Sequence, residues 1–233
     1  MDLTTLIELD KQLLLAVNGS NSLFLDGVVK TLTTAYTWVP LYLSLLYVVV
    51  KNNDSLQKVL VVVSAALLCV FLAGSLDDMF VKPLVGRPRP THDASIGALI
   101  DVVNGYRGGR YGFFSAHASN TFSLAVFFSL LIRSRYLTLT LITWSLLNCW
   151  TRLYLGVHYP GDILCGLIWG GFVGVAVWYV YWRIHRQMTG EGAFVSTQYT
   201  STGYQHSDVD AVICVFLFTL IYALLRACFY LYF

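Results

Sequence analysis

The chain has 233 residues, of which 57% are hydrophobic and only 12% are charged, and its formal net charge is +2. A soluble domain has about 25% charged residues, so the composition excludes an ordinary water-soluble protein and indicates one embedded in a membrane. The basic residues do not form a nucleic-acid-binding pattern, and we expect no nucleic-acid partner.

The first segment, residues 2–17, is predicted to form a short amphipathic helix. It lacks the basic start of a signal peptide, and Glu8, Asp10 and Lys11 interrupt its apolar run. Its apolar residues recur at helical spacing, at Leu3, Leu6, Ile7, Leu13, Leu14 and Val17. Such a helix fits the membrane interface, although a cap packed over a helical bundle explains the pattern equally well.

Apolar runs farther along the chain predict six membrane-spanning helices, at about 20 residues for each crossing. Four runs are continuous, and the stretch 118–154 divides into two more at Arg133 and Arg135. The continuous runs are residues 38–50, 59–74, 162–182 and 211–233. The first of them is too short for a crossing, so its helix is predicted to start near Asp26 and to be kinked at Pro40.

The expected fold is therefore all-α, a polytopic membrane bundle of about six transmembrane helices plus the N-terminal amphipathic helix. Three regions are expected along the chain. Residues 1–186 form the membrane core, residues 187–210 form a polar loop rich in Ser, Thr, Gly and Tyr, and residues 211–233 add a last transmembrane helix.

The connection at residues 81–114 is dense in cations. It contains Lys82, Arg87, Arg89, Arg107 and Arg110. Counting crossings places this loop and both termini on one face, while the ordinary positive-inside signal falls on the opposite face. Cations on the outer face indicate an anion site, with binding to anionic lipid headgroups as the alternative.

Three glycines in the run 162–182 recur at four-residue intervals, at Gly166, Gly170 and Gly174. This small-residue pattern lets two helix backbones approach closely, and we assign the glycines to packing. Their close contact is expected to hold the start of this helix rigidly.

Three short segments contain nearly every group with catalytic chemistry. They are KPLVGRPRP at residues 82–90, FSAH at 114–117 and TRLYLGVHYPGD at 151–162. Each lies at a membrane border on the same predicted face. A phosphoryl group in transfer carries charge on three equatorial oxygens, so its catalysis needs cations and hydrogen-bond donors around them. Lys82 offers a point charge, Arg89 and Arg152 offer planar forks, and Ser115 adds a neutral donor.

The two histidines in these segments suit different roles. His158 precedes Asp162 by four residues, so a helix that begins near Pro160 returns the carboxylate to the imidazole. Such a carboxylate fixes the tautomer and leaves the other nitrogen free to attack phosphorus. His117 has no acidic neighbour in sequence and suits protonation of the departing lipid oxygen.

Together the segments resemble the signature of the type 2 phosphatidic acid phosphatase superfamily, which reads K-x6-RP, then PSGH, then SR-x5-H-x3-D. In this sequence Phe114 and Ala116 replace Pro and Gly, and Thr151 replaces Ser. The resemblance implies that His158 is the nucleophile, that His117 is the general acid and that Asp162 orients the nucleophile. It implies that the phosphate is bound by Lys82, Arg89, Ser115, Ala116 and Arg152.

Several alternatives accompany these assignments. A lone histidine at a membrane border is more often an interfacial polar residue than a catalyst, and only the combination with the other motifs favours catalysis. Asp78 is interpreted as a simple helix ion pair with Lys82. Arg87, Arg107 and Arg110 fall outside the signature, and a second phosphate, a sugar, the membrane surface or solvent are all open as their partners.

No metal or cofactor is expected. The candidate site is cationic, and its one evident carboxylate is committed to His158. The cysteines lie in apolar segments without the paired spacing of a disulfide framework or a zinc site, and we interpret them as buried hydrophobic residues. They are Cys69, Cys149, Cys165, Cys214 and Cys228.

The family resemblance implies a phosphorylated membrane lipid as substrate and partner, in a bacterial inner membrane with the site on the periplasmic face. Undecaprenyl diphosphate and lipid A phosphate fit equally well, while phosphatidylglycerol phosphate and phosphatidic acid also belong to the family's range. A phosphohistidine intermediate is expected. A non-enzymatic lipid-binding or transport protein on the same bundle is the alternative, and the sequence leaves the oligomeric state open.

Overall fold

The computed structural model describes residues 2–189 and 196–230, and this part of the chain is helical and contains no strand. The all-α fold predicted from the sequence is confirmed. The helices are α1 (Leu3–Leu15), α2 (Leu23–Thr33), α3 (Val39–Lys51), α4 (Leu56–Val85), α5 (Ala116–Ile132), α6 (Arg135–Tyr154), α7 (Pro160–Thr189) and α8 (His206–Tyr230). Short 3-10 turns lie at Ala35–Trp38, Pro90–His92 and Val103–Gly105.

Three of these helices are long and apolar enough to cross a membrane: Leu56–Val85, Pro160–Gln187 and His206–Phe229. A fourth crossing is counted if α2 and the segment Ala35–Lys51, which are bent by 68°, form one span. Helix α5 is apolar but has 17 residues, and α6 is longer but contains several polar residues. The membrane bundle is thus confirmed, while the number of six crossings stays a prediction.

The break in the first span differs from the predicted kink. Thr34 is extended, and Pro40 lies in the first turn of α3, where a helix tolerates proline because no hydrogen bond is lost there. As a result α2 lies alongside the end of α6. The Tyr154 hydroxyl donates to Asp26 at 2.7 Å, and the Arg152 guanidinium donates to the Thr33 carbonyl at 3.1 Å.

Helix α8 is an integral part of the bundle core. Trp38 packs between Trp144 of α6 and Phe216 of α8, with ring centroids 6.0 and 6.2 Å away. At the other end of the bundle, the Asn52 side chain donates to Asp208 at 3.1 Å and accepts from the Gln205 N–H at 2.8 Å. These contacts start the helix at His206, earlier than the Ala211 expected from hydropathy.

The amphipathic helix α1 covers the connection that follows α4. Leu14 is fully buried against Ile96, Ile100 and Tyr159, and the Lys11 ammonium donates to the Ser95 hydroxyl at 2.8 Å. These contacts support the interpretation of α1 as a cap. Other apolar side chains on α1 are exposed, so this packing also allows the helix to lie at the membrane interface. They are Leu6, Ile7, Leu9 and Leu13.

The glycine stripe of α7 packs directly on the backbone of α5. A Cβ atom added at Gly166, Gly170 or Gly174 would lie 2.7, 2.4 or 2.6 Å from a carbonyl oxygen of α5 or its cap residue Ser115. The two helices are therefore as close as their backbones permit, in agreement with the packing role predicted from sequence. The same contact brings the Ser115 N–H to the Asp162 carbonyl, at 3.1 Å.

Gly170→Ala is expected to destabilise the bundle by about 1–3 kcal/mol, because the added methyl group meets backbone that cannot move aside. Thermal melting in detergent measures the effect. Gly171→Ala is the matched control, since its Cβ would meet only the ring of Phe122, at 3.2 Å. Equal melting temperatures for the two variants would contradict the close packing of α5 on α7.

Candidate active site

The predicted site residues converge at one end of the bundle. Lys82 lies in the last turn of α4, and Arg89 follows in the connection after it. Ser115 caps the N-terminus of α5, while Arg152 lies in the last turn of α6. His158 precedes α7, and Asp162 and His117 lie in the first turns of α7 and α5. Four separate helix ends therefore contribute to one site.

His158 lies between a carboxylate and a cation. Its Nδ1 atom is 3.5 Å from Asp162 Oδ2, and its Nε2 atom is 3.1 Å from Arg89 Nη1. Helix α7 begins at Pro160, so the carboxylate returns to the imidazole as the spacing predicted, and its Oδ2 also accepts from the Tyr159 N–H at 3.0 Å. The separation of 3.5 Å is long for a hydrogen bond, so the contact between the two side chains is mainly electrostatic.

The guanidinium of Arg89 is held by three contacts. Its Nε donates to the Tyr111 carbonyl at 3.1 Å, and Nη1 donates to the Val157 carbonyl at 3.2 Å besides facing His158. The segment 106–112 wraps closely around this side chain. A Cβ at Gly112 would lie 3.2 Å from Arg89 Cγ and 3.3 Å from Asp162 Oδ2, so the absence of a side chain there lets the segment reach the site.

Lys82 is buried beside two carboxylates. Its ammonium lies 3.1 Å from Asp77 Oδ2 and also contacts Asp78, as the predicted helix ion pair requires. Asp77 was not expected at the site, because residues five positions apart do not face each other in an α-helix. Helix α4, however, is π-helical over Asp77–Val81, where hydrogen bonds span five residues, and this geometry aligns Asp77 with Lys82.

Ser115 and Ala116 form the start of α5. The Ser115 hydroxyl is fully buried and accepts from the Ala118 N–H at 3.4 Å, which leaves its own hydrogen for another acceptor. Ala116 is the first helical residue, and its φ is not positive, so alanine fits here without strain. The first N–H groups of a helix have no partner inside the helix and suit an anion.

Arg152 and His117 line a cavity of about 440 Å³ between α2 and the turn Val103–Gly105. Arg152 is 2% exposed; it donates to the Tyr106 hydroxyl at 3.2 Å and to Thr33, while its Nε has no partner. His117 is exposed to the cavity. The other residues that line the cavity are Lys30, Thr33, Thr34, Val103, Asn104, Gly105, Tyr106 and Leu155. Most of them carry a polar side chain.

The structure also shows contacts that the sequence did not predict. Arg87 pairs with two carboxylates, Asp162 Oδ1 at 2.7 Å and Asp10 Oδ2 at 2.6 Å, rather than with solvent. The carboxylate of Asp77 accepts from the Phe114 N–H at 3.3 Å, which ties α4 to the segment before Ser115. Arg107 contacts the Thr91 carbonyl at 3.5 Å, and Arg110 lies over the Tyr111 ring.

Burial lowers the pKa of His158 to about 4, and the nearby cations Arg89 and Lys82 act in the same direction, while the Asp162 carboxylate opposes the shift. With this pKa the imidazole is neutral at neutral pH. The folded protein binds this proton less readily than the unfolded chain does, so protonation favours unfolding. The free energy of unfolding is therefore unaffected by His158 above about pH 6.5 and decreases as the pH falls towards 4.

This shift corresponds to about 3 kcal/mol of stability that depends on pH. We expect the melting temperature of the wild type to fall more steeply between pH 7 and pH 4 than that of His158→Gln. Melting both proteins in detergent at several pH values provides the comparison. Parallel curves would show that His158 does not contribute to the acid sensitivity.

Comparison with protein families gives a match to the model described as the PAP2 superfamily, over residues 56–186. This region is more than half of the chain and contains all eight predicted site residues. The chain belongs to the PAP2 superfamily. No solved structure matches the chain.

The curated relatives of this PAP2 protein are phosphatases. One from Bacteroides thetaiotaomicron, named lipid A 4'-phosphatase, is 43% identical over 182 residues, 78% of this chain and 79% of the relative. One from Porphyromonas gingivalis with the same name is 35% identical over 176 residues, 76% of this chain and 74% of the relative. A decaprenylphosphoryl-5-phosphoribose phosphatase from Mycobacterium tuberculosis is 34% identical over 99 residues, 42% of this chain and 50% of the relative.

This PAP2 protein is thus a membrane lipid phosphatase, a hydrolase of phosphoric esters. The alternative of a non-enzymatic binding or transport protein on the same bundle is set aside, because the similarity to the two phosphatases extends over three quarters of the chain.

Proposed function

We propose that this phosphatase removes a phosphate from lipid A by way of a phosphohistidine at His158. The orientation of the imidazole supports this mechanism most directly. Asp162 faces Nδ1, and Nε2 is the nitrogen that faces the cation Arg89. The names of the two long relatives support lipid A as the substrate.

In the first step Nε2 of neutral His158 attacks phosphorus, and the bond between phosphorus and the lipid oxygen breaks. His117, which is protonated when the phosphate dianion of the bound substrate offsets the nearby cations, gives its proton to that oxygen, so the lipid leaves as an alcohol. Asp162 stabilises the positive charge that forms on the imidazole, while Lys82 and Arg152 neutralise the phosphoryl oxygens. Water then attacks phosphorus, His117 accepts its proton, and the bond to Nε2 breaks to release inorganic phosphate.

The cavity beside His117 suits the leaving group. In an in-line displacement the nucleophile and the leaving group lie on opposite sides of phosphorus. His117 lines the cavity and His158 does not, so the cavity lies on the side where the lipid oxygen departs. The Tyr106 hydroxyl, which accepts from Arg152, keeps its own hydrogen for a sugar ring. The Thr34 hydroxyl, which donates to the Lys30 carbonyl, can accept a hydrogen bond from the sugar. An isoprenoid chain makes no such hydrogen bonds.

Phosphate release from a panel of lipids tests the substrate. The purified protein in detergent is given lipid A, undecaprenyl diphosphate, phosphatidylglycerol phosphate and phosphatidic acid, with His158→Gln as the inactive control. We expect the highest kcat/KM with lipid A. A preference for undecaprenyl diphosphate would contradict the substrate assignment, and no turnover on any lipid would contradict the enzymatic function.

We further propose that the enzyme lies in the bacterial inner membrane with its site on the periplasmic face. The cluster of cations around the site supports this orientation, since the ordinary positive-inside signal, which includes Lys51 and Arg135, falls at the helix ends of the opposite face. A substrate in the outer leaflet would then reach the site without crossing the membrane.

Cysteine labelling in intact cells tests the orientation. Gly109→Cys, which places a side chain in open space, is expected to react with an impermeant thiol reagent after the outer membrane is permeabilised. Arg135→Cys, on the opposite face, is expected to react only after the inner membrane is opened. Wild-type protein gives the background from its native cysteines, and the reverse pattern would show an inverted topology.

A further inference from the structure

A continuous chain of polar contacts connects helix α1 to the proposed nucleophile. Asp10 of α1 binds Arg87, Arg87 binds Asp162, and Asp162 faces His158. The three separations are 2.6, 2.7 and 3.5 Å. Neither Asp10 nor Arg87 belongs to the sequence signature of the site, and neither lines the cavity beside His117.

Asp10 is held at this position by more than its ion pair. Its Oδ1 accepts from the Gly161 N–H at 2.7 Å, in the first turn of α7, while its Oδ2 receives Nη2 of Arg87. Glycine at 161 leaves room for this contact, because a Cβ atom there would lie 2.9 Å from Asp10 Oδ2. One carboxylate from α1 therefore joins the start of α7 to the guanidinium that binds Asp162.

Arg87 is equally constrained. Its guanidinium lies over the ring of Tyr159, 4.1 Å from the centroid, and the Tyr159 hydroxyl donates to Asp93 at 2.8 Å. Asp162 itself is fully buried and accepts from Arg87 through Oδ1 and from the Tyr159 N–H through Oδ2. Each oxygen of the carboxylate thus has a fixed partner, which sets its orientation toward the imidazole.

We propose that Asp10 and Arg87 are positioning residues, which fix the Asp162 carboxylate against His158 and determine how strongly it stabilises the imidazolium formed during phosphoryl transfer. The proposal rests on the phosphohistidine mechanism above. Arg87 divides its attraction between two carboxylates. Without the charge of Asp10, Arg87 would pair with Asp162 alone. Its positive charge would then be balanced by Asp162 only, and the carboxylate would stabilise the imidazolium less.

Asp10→Asn tests the proposal with little disturbance of shape, because the amide oxygen still accepts from the Gly161 N–H. We expect kcat to fall about 10- to 100-fold, the range observed when partners that orient a catalytic ligand are removed. KM should change little, because Asp10 does not contact the substrate. Glu8→Gln on the same helix is the control; Glu8 is exposed, and its kinetic constants should equal those of the wild type.

A double-mutant cycle separates positioning from a merely structural role. If Asp10 acts through Arg87, then Asp10→Asn combined with Arg87→Gln should lower kcat no further than Arg87→Gln alone. If Asp10 only caps α7, the two losses should multiply, and this result would overturn the proposal. Melting temperatures of the variants establish that each protein is folded under the assay conditions.

Failure of the positioning role and failure of the proposed function give different results. A wild type that hydrolyses no lipid of the panel contradicts the function itself. An active wild type whose kcat is unchanged by Asp10→Asn contradicts only the positioning role. A rise in KM at constant kcat would likewise overturn the proposal, because it would place Asp10 in substrate binding.

Discussion

His158→Ala is expected to abolish turnover, with a loss of about 10⁴- to 10⁶-fold in kcat, the size seen when a catalytic nucleophile is removed. In the described part of the chain, His158 is the histidine that contacts Arg89. Lipid binding should remain nearly intact, because Lys82, Arg89 and Arg152 still surround the phosphate. Phosphate release and equilibrium binding of the lipid to the purified variant measure the two quantities separately.

His158 is buried, so its truncation leaves a cavity that could reduce stability. His158→Gln fills more of that space and serves as a second variant, and it should be equally inactive. His206→Ala, at an exposed position in the first turn of α8, is the control and should keep wild-type activity. Full activity of either His158 variant would exclude the nucleophilic role.

His117→Ala is expected to slow hydrolysis of a lipid phosphate by about 10²- to 10⁴-fold, the usual contribution of a general acid. The loss should be much smaller with an aryl phosphate such as p-nitrophenyl phosphate, because its leaving group needs no proton. Comparison of the first-step rate on the two substrates by rapid mixing measures the difference. Equal losses on both would assign His117 to phosphate binding instead of proton transfer.

The sequence was informative where chemistry depends on local spacing. Asp162 follows His158 by four residues, and Pro160 starts a helix, so their mutual approach could be predicted from the chain alone. Ser115 belongs to the FSAH segment at residues 114–117, whose sequence pattern predicted phosphate binding, and it caps the N-terminus of α5 in the structure. The glycine stripe similarly predicted a close helix contact, although it did not identify α5 as the partner.

Contacts that depend on the tertiary structure could not be predicted. Arg87 had several possible partners, and its selection of Asp10 depends on how α1 folds back over the connection after α4. Asp77 reaches Lys82 only because α4 becomes π-helical, and no sequence pattern reports that change. The break at Thr34 has the same origin, since α2 turns to contact the end of α6 without glycine or proline at the break.

Trapping of the phosphoenzyme is the most direct test of phosphate transfer to His158. His117→Gln is mixed rapidly with an aryl phosphate labelled with ³²P, so that the first step proceeds while the second, which needs a base for water, is slow. We expect protein-bound label that is stable in base, labile in acid and located at His158 by peptide mapping. The double variant His117→Gln, His158→Gln should carry none. Turnover without protein-bound label, or label on another residue, would contradict the account.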